Sequence, residues 1–354
     1  MIPLVPNSTL GVAYHSVGAM LSANCYAPQK YVRRWAWEIF WMVQAAWCWL
    51  LLPIVGAVCT IPELDRVLAE APKLVMLQAF LMGMAYGVGG TAFNVSIRYI
   101  GFSLTYAIAV GLSSILGTLV PPLLDGKVAE ILAKPGAAWV VAGIFVGVLG
   151  IAVCGAAGRL KEIDFRDRAG SLGEFSLVKG LLLSLVAGVL SAVYGIGISK
   201  TAAPLVELAA AHNAGHWRGN IAYPFVNSGA FVTALLYSLY LARKNRTLGQ
   251  LTRLPDGEGP GSLLGNHLLA ALTGTLWYGQ FFFYNLGHVR MSNEHTSWAI
   301  HMIMLVLFSN LVAVLFREWK GCRVRTWLAV ALGLAVLVAA VLMLAYGNQL
   351  GDAK

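Results

Sequence analysis

Ten runs of about 20 mostly apolar residues follow one another along this chain, and no other feature constrains its fold as strongly. A helix needs roughly 20 such residues to cross the ~30 Å of hydrocarbon in a bilayer. Charged or Pro/Gly-rich stretches separate the runs, as expected of loops between spans. The sequence therefore predicts an all-α integral membrane protein with ten transmembrane helices. The predicted spans are residues 8–26, 39–60, 74–97, 102–122, 137–157, 179–199, 220–241, 263–285, 296–316 and 326–346.

The composition agrees with a membrane protein. Of the 354 residues, 58% are hydrophobic and only 12% are charged, unlike a water-soluble domain. The net charge of +9 is spread between the apolar runs, so no nucleic-acid partner is expected. The five cysteines lack C-x-x-C spacing, and the sequence has no G-x-x-x-x-G-K-S/T loop. We therefore expect no metal site and no cofactor, nucleotides included.

The basic residues predict the orientation of the chain. About two thirds of the 25 Lys and Arg residues lie in the odd-numbered connections between spans. Because cytoplasmic loops are enriched in Lys and Arg, these connections are predicted to be cytoplasmic and both termini periplasmic. Acidic residues in the longest of them do not change this, because they count little toward orientation.

Short motifs recur between the first five and the last five spans and indicate an internal repeat. The matches are Gly18–Ala23 with Ala187–Ala192, and Tyr86, Gly87 and Arg98 with Tyr278, Gly279 and Arg290. We predict a first five-helix repeat at residues 1–160, a cytoplasmic connection at 161–178 and a second five-helix repeat at 179–354. Because five is odd, the second copy inserts upside down. Many secondary carriers use this arrangement for alternating access around one central site.

Span 8 has a face that is typical of a carbohydrate site. Its residues recur in alternating steps of four and three, which places them on one side of a helix. They are His267, Ala271, Gly274, Tyr278, Phe281, Asn285 and His288, with Trp277, Gln280 and Tyr284 on the flank. Aromatic rings cover the C–H face of a sugar, and amides donate to and accept from its hydroxyls. A helix-packing seam with satisfied amides is the alternative interpretation.

Span 1 repeats this pattern and is expected to line the same cavity. His15, Ser22 and Tyr26 lie at helical spacing, and Asn24 lies near the cytoplasmic mouth. The predicted substrate-binding residues are thus Trp277, Tyr278, Gln280, Phe281, Tyr284, Asn285, Tyr26 and Asn24.

Four ionisable residues are candidates for proton coupling. An ionisable side chain inside lipid is by default a functional candidate, and no Asp or Glu falls deep inside a predicted span. Histidine titrates near pH ~6.5, so it can take up a proton outside and release it inside. We predict that one of His15, His267, His301 or Glu38, the last at the cytoplasmic edge of span 2, carries the proton.

The most specific motifs lie around spans 8 and 9. Trp277–Tyr278 is followed by Gln280–Tyr284 and Gly287–His288, and then by Ser297–Trp298 and His301–Met302. Further motifs are Tyr26–Pro28, Trp35, Trp37–Glu38, Arg98–Tyr99, Gly101, Gly117–Thr118 and Glu318–Trp319. On these residues the chain closely resembles the L-rhamnose/proton symporter family over essentially its whole length.

The resemblance implies both a function and a location. It implies uptake of L-rhamnose with a proton across the bacterial cytoplasmic membrane, by a ten-helix relative of the drug/metabolite transporter superfamily. L-Rhamnose is a 6-deoxy sugar, so its site needs hydroxyl partners and an apolar pocket for the methyl group. We assign Gln280, Tyr284 and Asn285 to the hydroxyls and Trp277 and Phe281 to the apolar wall.

Other functions stay open on the sequence alone. One is a carrier of the same fold for another deoxy sugar, a nucleotide sugar or an amphipathic metabolite. A nucleotide-sugar carrier would need Arg or Lys within the spans to bind the phosphates, and none lies deep in a span. An intramembrane enzyme would need a motif such as H-E-x-x-H, which the sequence lacks. A structural or sensory membrane protein is the third. No oligomeric state is predicted.

Overall fold

The computed structural model describes residues 6–100, 102–169, 176–254 and 260–352. Over these ranges the regular structure is helical and includes no strand. The α-helices are α1 Ser8–Asn24, α2 Trp37–Ala45, α3 Leu52–Thr60, α4 Leu64–Glu70, α5 Lys73–Ile100, α6 Phe102–Leu124, α7 Val128–Leu132, α8 Ala137–Ala169, α9 Leu177–Ile196, α10 Ala203–Ala211, α11 Tyr223–Lys244, α12 Pro260–His288, α13 Ser297–Leu315 and α14 Val324–Asp352. Two π-helical turns, Ala46–Leu51 and Gly197–Thr201, follow α2 and α9 directly.

Within the described ranges, eight helical segments are long and apolar enough to cross a membrane. They are Trp37–Thr60, Lys73–Ile97, Leu104–Leu124, Ala137–Phe165, Val178–Ala211, Gly215–Lys244, Glu294–Leu315 and Val324–Asp352. The prediction of an all-α membrane protein is therefore confirmed. Each of the ten predicted spans coincides with a helix, but α1, with 17 residues, and α12 are not among the eight. The count of ten spans, the inverted repeat and the periplasmic termini stay predictions.

The chain forms two compact units, and each draws on both halves of the sequence. The first unit comprises Asn24–Val88 and Gly197–Phe282. The second comprises Ile2–Ala23, Gly89–Ile196 and Phe283–Lys354. Predicted substrate-binding and proton-coupling residues occur in both units.

In the first unit, α5 and α11 touch through their backbones. A Cβ added at Gly83 would collide with the carbonyl oxygen of Val226, and one added at Gly229 would collide with that of Phe80. The two glycines thus make room for each other's helix. This is the close approach that small residues permit between helices in membranes, where van der Waals packing drives association.

The end of α10 is joined to α4 in the first unit by an ionic contact. The Nδ1 atom of His212 lies 3.3 Å from Glu63 Oε2, and its Nε2 atom lies 3.2 Å from Glu70 Oε2. A carboxylate only accepts, so both ring nitrogens donate only when the imidazole is protonated. The hydrogen bond to Glu70 is the main cause, and that to Glu63 a smaller one, of a pKa of His212 above its ordinary value of 6.5.

The second unit packs around α13. Every residue of α13 from Ser297 to Leu307 is buried. Three glycines at helical spacing on α8, Gly143, Gly147 and Gly150, lie against side chains of α13 and α14. These small residues let α8 approach both neighbours closely.

A buried carboxylate at the end of α8 satisfies the start of α14. Asp164 Oδ2 accepts hydrogen bonds from the Arg323 backbone N–H at 2.9 Å and from the Thr326 hydroxyl at 2.7 Å. Arg323 directly precedes α14 and Thr326 lies in its first turn, so both donors belong to the start of this helix. Asp164 therefore fixes α14 to α8.

Candidate functional site

Eight aromatic side chains of the first unit form a continuous aromatic cluster. Its members are Trp37, Trp41, Trp49, Tyr86, Tyr223, Trp277, Tyr278 and Phe281. Trp277 of α12 is central: its ring centroid lies 5.2 Å from that of Trp49, 4.8 Å from that of Phe281 and 6.3 Å from that of Tyr86. These spacings are typical of edge-to-face and tilted aromatic pairs.

The aromatic cluster is largely enclosed, and some of its polar atoms lack partners. Trp49, Trp277, Tyr278 and Phe281 are each at most 6% exposed. Tyr223 donates its hydroxyl to the Phe281 carbonyl at 2.7 Å. In contrast, the Tyr278 hydroxyl and the Trp49 indole nitrogen are buried without a hydrogen-bond partner in the described part of the chain. Buried polar groups are normally paired, so these two atoms call for a functional explanation.

Four of the predicted substrate-binding residues lie in the first unit on α12. Trp277, Tyr278 and Phe281 belong to the aromatic cluster, and Gln280 beside them is 3% exposed. Asn24, the last residue of α1, is half-buried, whereas Tyr26 is 41% exposed. The remaining two predicted residues, Tyr284 and Asn285, lie in the second unit.

The second unit brings two predicted proton carriers together. His15 of α1 and His301 of α13 are both fully buried, with ring centroids 6.0 Å apart. Tyr284 contacts both, at 5.2 Å from His15 and 5.4 Å from His301. His288 stacks on Tyr284 at 5.8 Å. These four residues are called the histidine cluster below.

The histidine cluster combines a buried imidazole with an ionic contact. Within the residues that the structure places, neither ring nitrogen of His15 has a hydrogen-bond partner. His288 Nε2 lies 3.7 Å from Glu294 Oε2, and 58% of that carboxylate side chain is exposed. Like charges a few ångströms apart repel strongly in a low-dielectric interior, so His15 and His301 would destabilise each other if both were protonated.

The other two predicted proton carriers, both in the first unit, are engaged in loop contacts. Glu38 Oε1 accepts from Asn245 Nδ2 at 3.0 Å and from the Thr247 hydroxyl at 2.8 Å. His267 Nε2 lies 3.0 Å from the Leu251 carbonyl oxygen, so this nitrogen carries the hydrogen. Both side chains therefore tie the segment after α11 to the neighbouring helices.

The sequence predicts a substrate face on spans 1 and 8 and does not indicate the other members of the aromatic cluster. The predicted site does not include Trp41, Trp49 or Tyr223, and Tyr86 belongs only to the predicted repeat. His288 was noted on the face of span 8 but not as a neighbour of the other histidines. The density of tryptophan in span 2 was the one available signal.

The model of the L-rhamnose-proton symport protein family matches residues 5–349. The chain belongs to this family. It is 35% identical over 347 residues to the L-rhamnose-proton symporter of Cronobacter sakazakii, with 96% of this chain and 97% of the relative covered. Corresponding proteins of Pectobacterium atrosepticum and Yersinia pestis are 33% and 32% identical over 344 and 343 residues, with the same coverage.

Family membership resolves several of the expectations from sequence. The resemblance to rhamnose symporters is confirmed over nearly the whole chain. The family is one of symporters, so the prediction of a transporter rather than an enzyme is also confirmed. The bacterial relatives and the eight candidate spans agree with a multi-pass protein of the inner membrane.

Proposed function

We propose that this protein takes up L-rhamnose together with a proton by alternating access. Ten spans arranged as two inverted five-helix repeats, with both termini periplasmic, are the architecture we propose for it. Membership of the symporter family supports the substrate and the ion. The observation that carries the sugar site is the aromatic cluster, in which enclosed ring faces stand beside buried polar atoms that make no hydrogen bond to any residue the structure describes.

The sugar is held along α12 in this proposal. Trp277 and Phe281 provide the apolar wall for the C–H face and the methyl group of the 6-deoxy sugar. Gln280 offers an amide to the hydroxyls, and the Tyr278 hydroxyl is a further donor and acceptor. Tyr284 and Asn285 lie one turn further along the same helix. Asn24 and Tyr26 complete the proposed set.

The proton is held by the histidine cluster in this proposal. His15 and His301 are fully buried and adjacent, whereas Glu38 and His267 have partners that explain their positions structurally. An imidazole can bind and release a single proton, so a histidine that faces the two sides of the membrane in turn can be loaded on one side and unloaded on the other. We therefore assign coupling to His15 and His301 among the four candidates.

Reconstituted proteoliposomes test the proposal. With an inside-alkaline pH gradient, we expect accumulation of labelled L-rhamnose that a protonophore abolishes. L-Fucose and other sugars serve as competing substrates, and a sodium gradient without a pH gradient serves as the control for the ion. Accumulation driven by sodium alone would overturn proton coupling. Transport of another solute without transport of L-rhamnose would overturn the substrate.

Alanine variants test the sugar site separately from the ion. Gln280→Ala and Asn285→Ala are each expected to weaken binding of L-rhamnose to the purified protein, because each removes an amide that the proposal pairs with a hydroxyl. Unchanged affinity in both variants would remove these residues from the site.

A further inference from the structure

A π-helical turn interrupts the span Trp37–Thr60 inside the first unit. The α-helical pattern of α2 ends at Ala45, the turn covers Ala46–Leu51, and α3 resumes at Leu52. The Leu52 backbone N–H donates to the Trp47 carbonyl, five residues back, as in a π-helix. Such turns occur frequently at functional sites.

The π-helical turn changes the direction in which Trp49 points. In a regular α-helix, with 3.6 residues per turn, Trp49 would lie about 80° around the axis from Trp41, eight residues earlier. In the structure the two rings meet edge to face, with centroids 5.7 Å apart. The extra residue in the turn therefore brings Trp49 to the face of Trp41, and so into contact with Trp277 of α12.

Glycine at position 274 of α12 lets this turn pack closely. A Cβ at Gly274 would lie 2.7 Å from Trp47 Cβ, 3.0 Å from the Gln44 carbonyl oxygen and 3.2 Å from the Cys48 backbone nitrogen. The backbone of α12 thus rests on the backbone of the turn. Gly274 precedes Trp277 by three residues on α12. The backbone contact at Gly274 therefore also sets the distance between the π-helical turn and Trp277.

Two buried polar atoms of this segment have no hydrogen-bond partner among the described residues. The Trp49 side chain is 3% exposed and that of Gln44 is 1% exposed. Within the described ranges, Trp49 Nε1 and Gln44 Oε1 make no hydrogen bond. Indole Nε1–H is a donor only, and the amide oxygen is an acceptor, so the segment holds one donor and one acceptor. Leaving such groups unpaired in an interior is destabilising, which points to a polar ligand.

We propose that this turn is the hydroxyl-recognition element of the sugar site. The Trp49 indole N–H donates to a hydroxyl oxygen of the pyranose, and Gln44 Oε1 accepts from another hydroxyl of the same ring. Trp277 covers the C–H face between them. The inference rests on the proposed function, because it names residues of the same L-rhamnose site that α12 alone does not supply.

Binding of L-rhamnose and its monodeoxy analogues to the detergent-purified protein tests this inference. Trp49→Phe keeps an aromatic ring and removes only the N–H and the second ring, and it is expected to weaken L-rhamnose binding about tenfold. One monodeoxy analogue, lacking the hydroxyl that Trp49 contacts, is expected to bind wild type and Trp49→Phe with the same affinity. Trp139→Phe, a half-exposed tryptophan of the second unit, is the matched control and should bind like wild type.

The outcomes separate this inference from the proposed function. If Trp49→Phe weakens L-rhamnose and every analogue by the same factor, the ring acts only through packing and the inference is overturned. Unchanged affinity overturns it too. If wild type binds no L-rhamnose, the proposed function fails instead. Gln44→Met repeats the test for the acceptor and keeps the inference falsifiable if Trp49→Phe does not fold, with size-exclusion chromatography as the check on folding.

Discussion

The Glu38→Gln variant distinguishes two roles for the Glu38 carboxylate, a structural one and that of proton carrier. The Glu38 side chain is 5% exposed, and its Oε1 accepts from both Asn245 and Thr247. Hydrogen bonds to charged groups contribute about 1.5–3 kcal/mol and neutral ones about 0.5–1.5 kcal/mol. Glutamine keeps the acceptor but loses the charge, so Glu38→Gln should lose about 1 kcal/mol for each bond.

The position of Glu38 in its helix adds a smaller contribution. It is the second residue of α2, where a negative charge interacts favourably with the helix dipole by about 0.3–1 kcal/mol. The total expected loss is therefore about 2–3 kcal/mol of stability. Proton-driven uptake should persist in Glu38→Gln, because the variant removes a contact that holds the loop and leaves His15 and His301 intact.

Two measurements on the same preparations check this prediction. The apparent unfolding temperature of the purified variant should fall by several degrees, while uptake in proteoliposomes should still follow the pH gradient. Glu130→Gln, at an exposed glutamate in the first turn of α7, is the matched control: it removes a charge near a helix start without the two hydrogen bonds, so its unfolding temperature should fall less and its uptake should not change. A Glu38→Gln protein of unchanged stability that no longer responds to the pH gradient would refute the reasoning and make Glu38 the carrier.

Three further predictions follow from contacts in the two units. The hydrogen bonds of His212 to Glu70 and Glu63 raise the pKa of His212. The stability that these bonds give to the folded protein is therefore full below pH 6.5 and is lost as the pH rises through the raised pKa. His212→Gln should remove this pH dependence from the unfolding temperature. His15→Gln should abolish accumulation driven by a pH gradient but retain counterflow of unlabelled against labelled sugar; full accumulation would contradict the coupling assignment. Gly229→Leu should fail to yield folded protein on size exclusion, since overpacking against backbone costs at least about 1–3 kcal/mol.

The helices could be predicted from sequence because their signal is local. Apolar runs bounded by charged residues gave span 10 as residues 326–346, and the structure has α14 at Val324–Asp352. The predicted end of span 8 is residue 285, and in the structure α12 ends at His288. Boundaries of this kind depend on neighbouring residues in the chain, which the sequence displays directly.

The candidate site was only partly predictable because its contacts are distant in sequence. The helical spacing on span 8 identified Trp277 and Phe281, but nothing local indicates that Trp49 meets Trp277. A π-helical turn has no composition signal that distinguishes it from an α-helical one, and it decides which way Trp49 points. In the same way, the partners that occupy Glu38 are 207 and 209 residues away in the chain.

The reciprocal glycines of α5 and α11 have a mechanical consequence. Each helix places a carbonyl oxygen where a side chain of the other would begin, at Gly83 and at Gly229. Two surfaces engaged in this way cannot slide along each other without a collision between main chains. During any rearrangement of the first unit, α5 and α11 therefore move together as one rigid body. The conformational change that lets a solute pass must occur in segments that lack such interlocking.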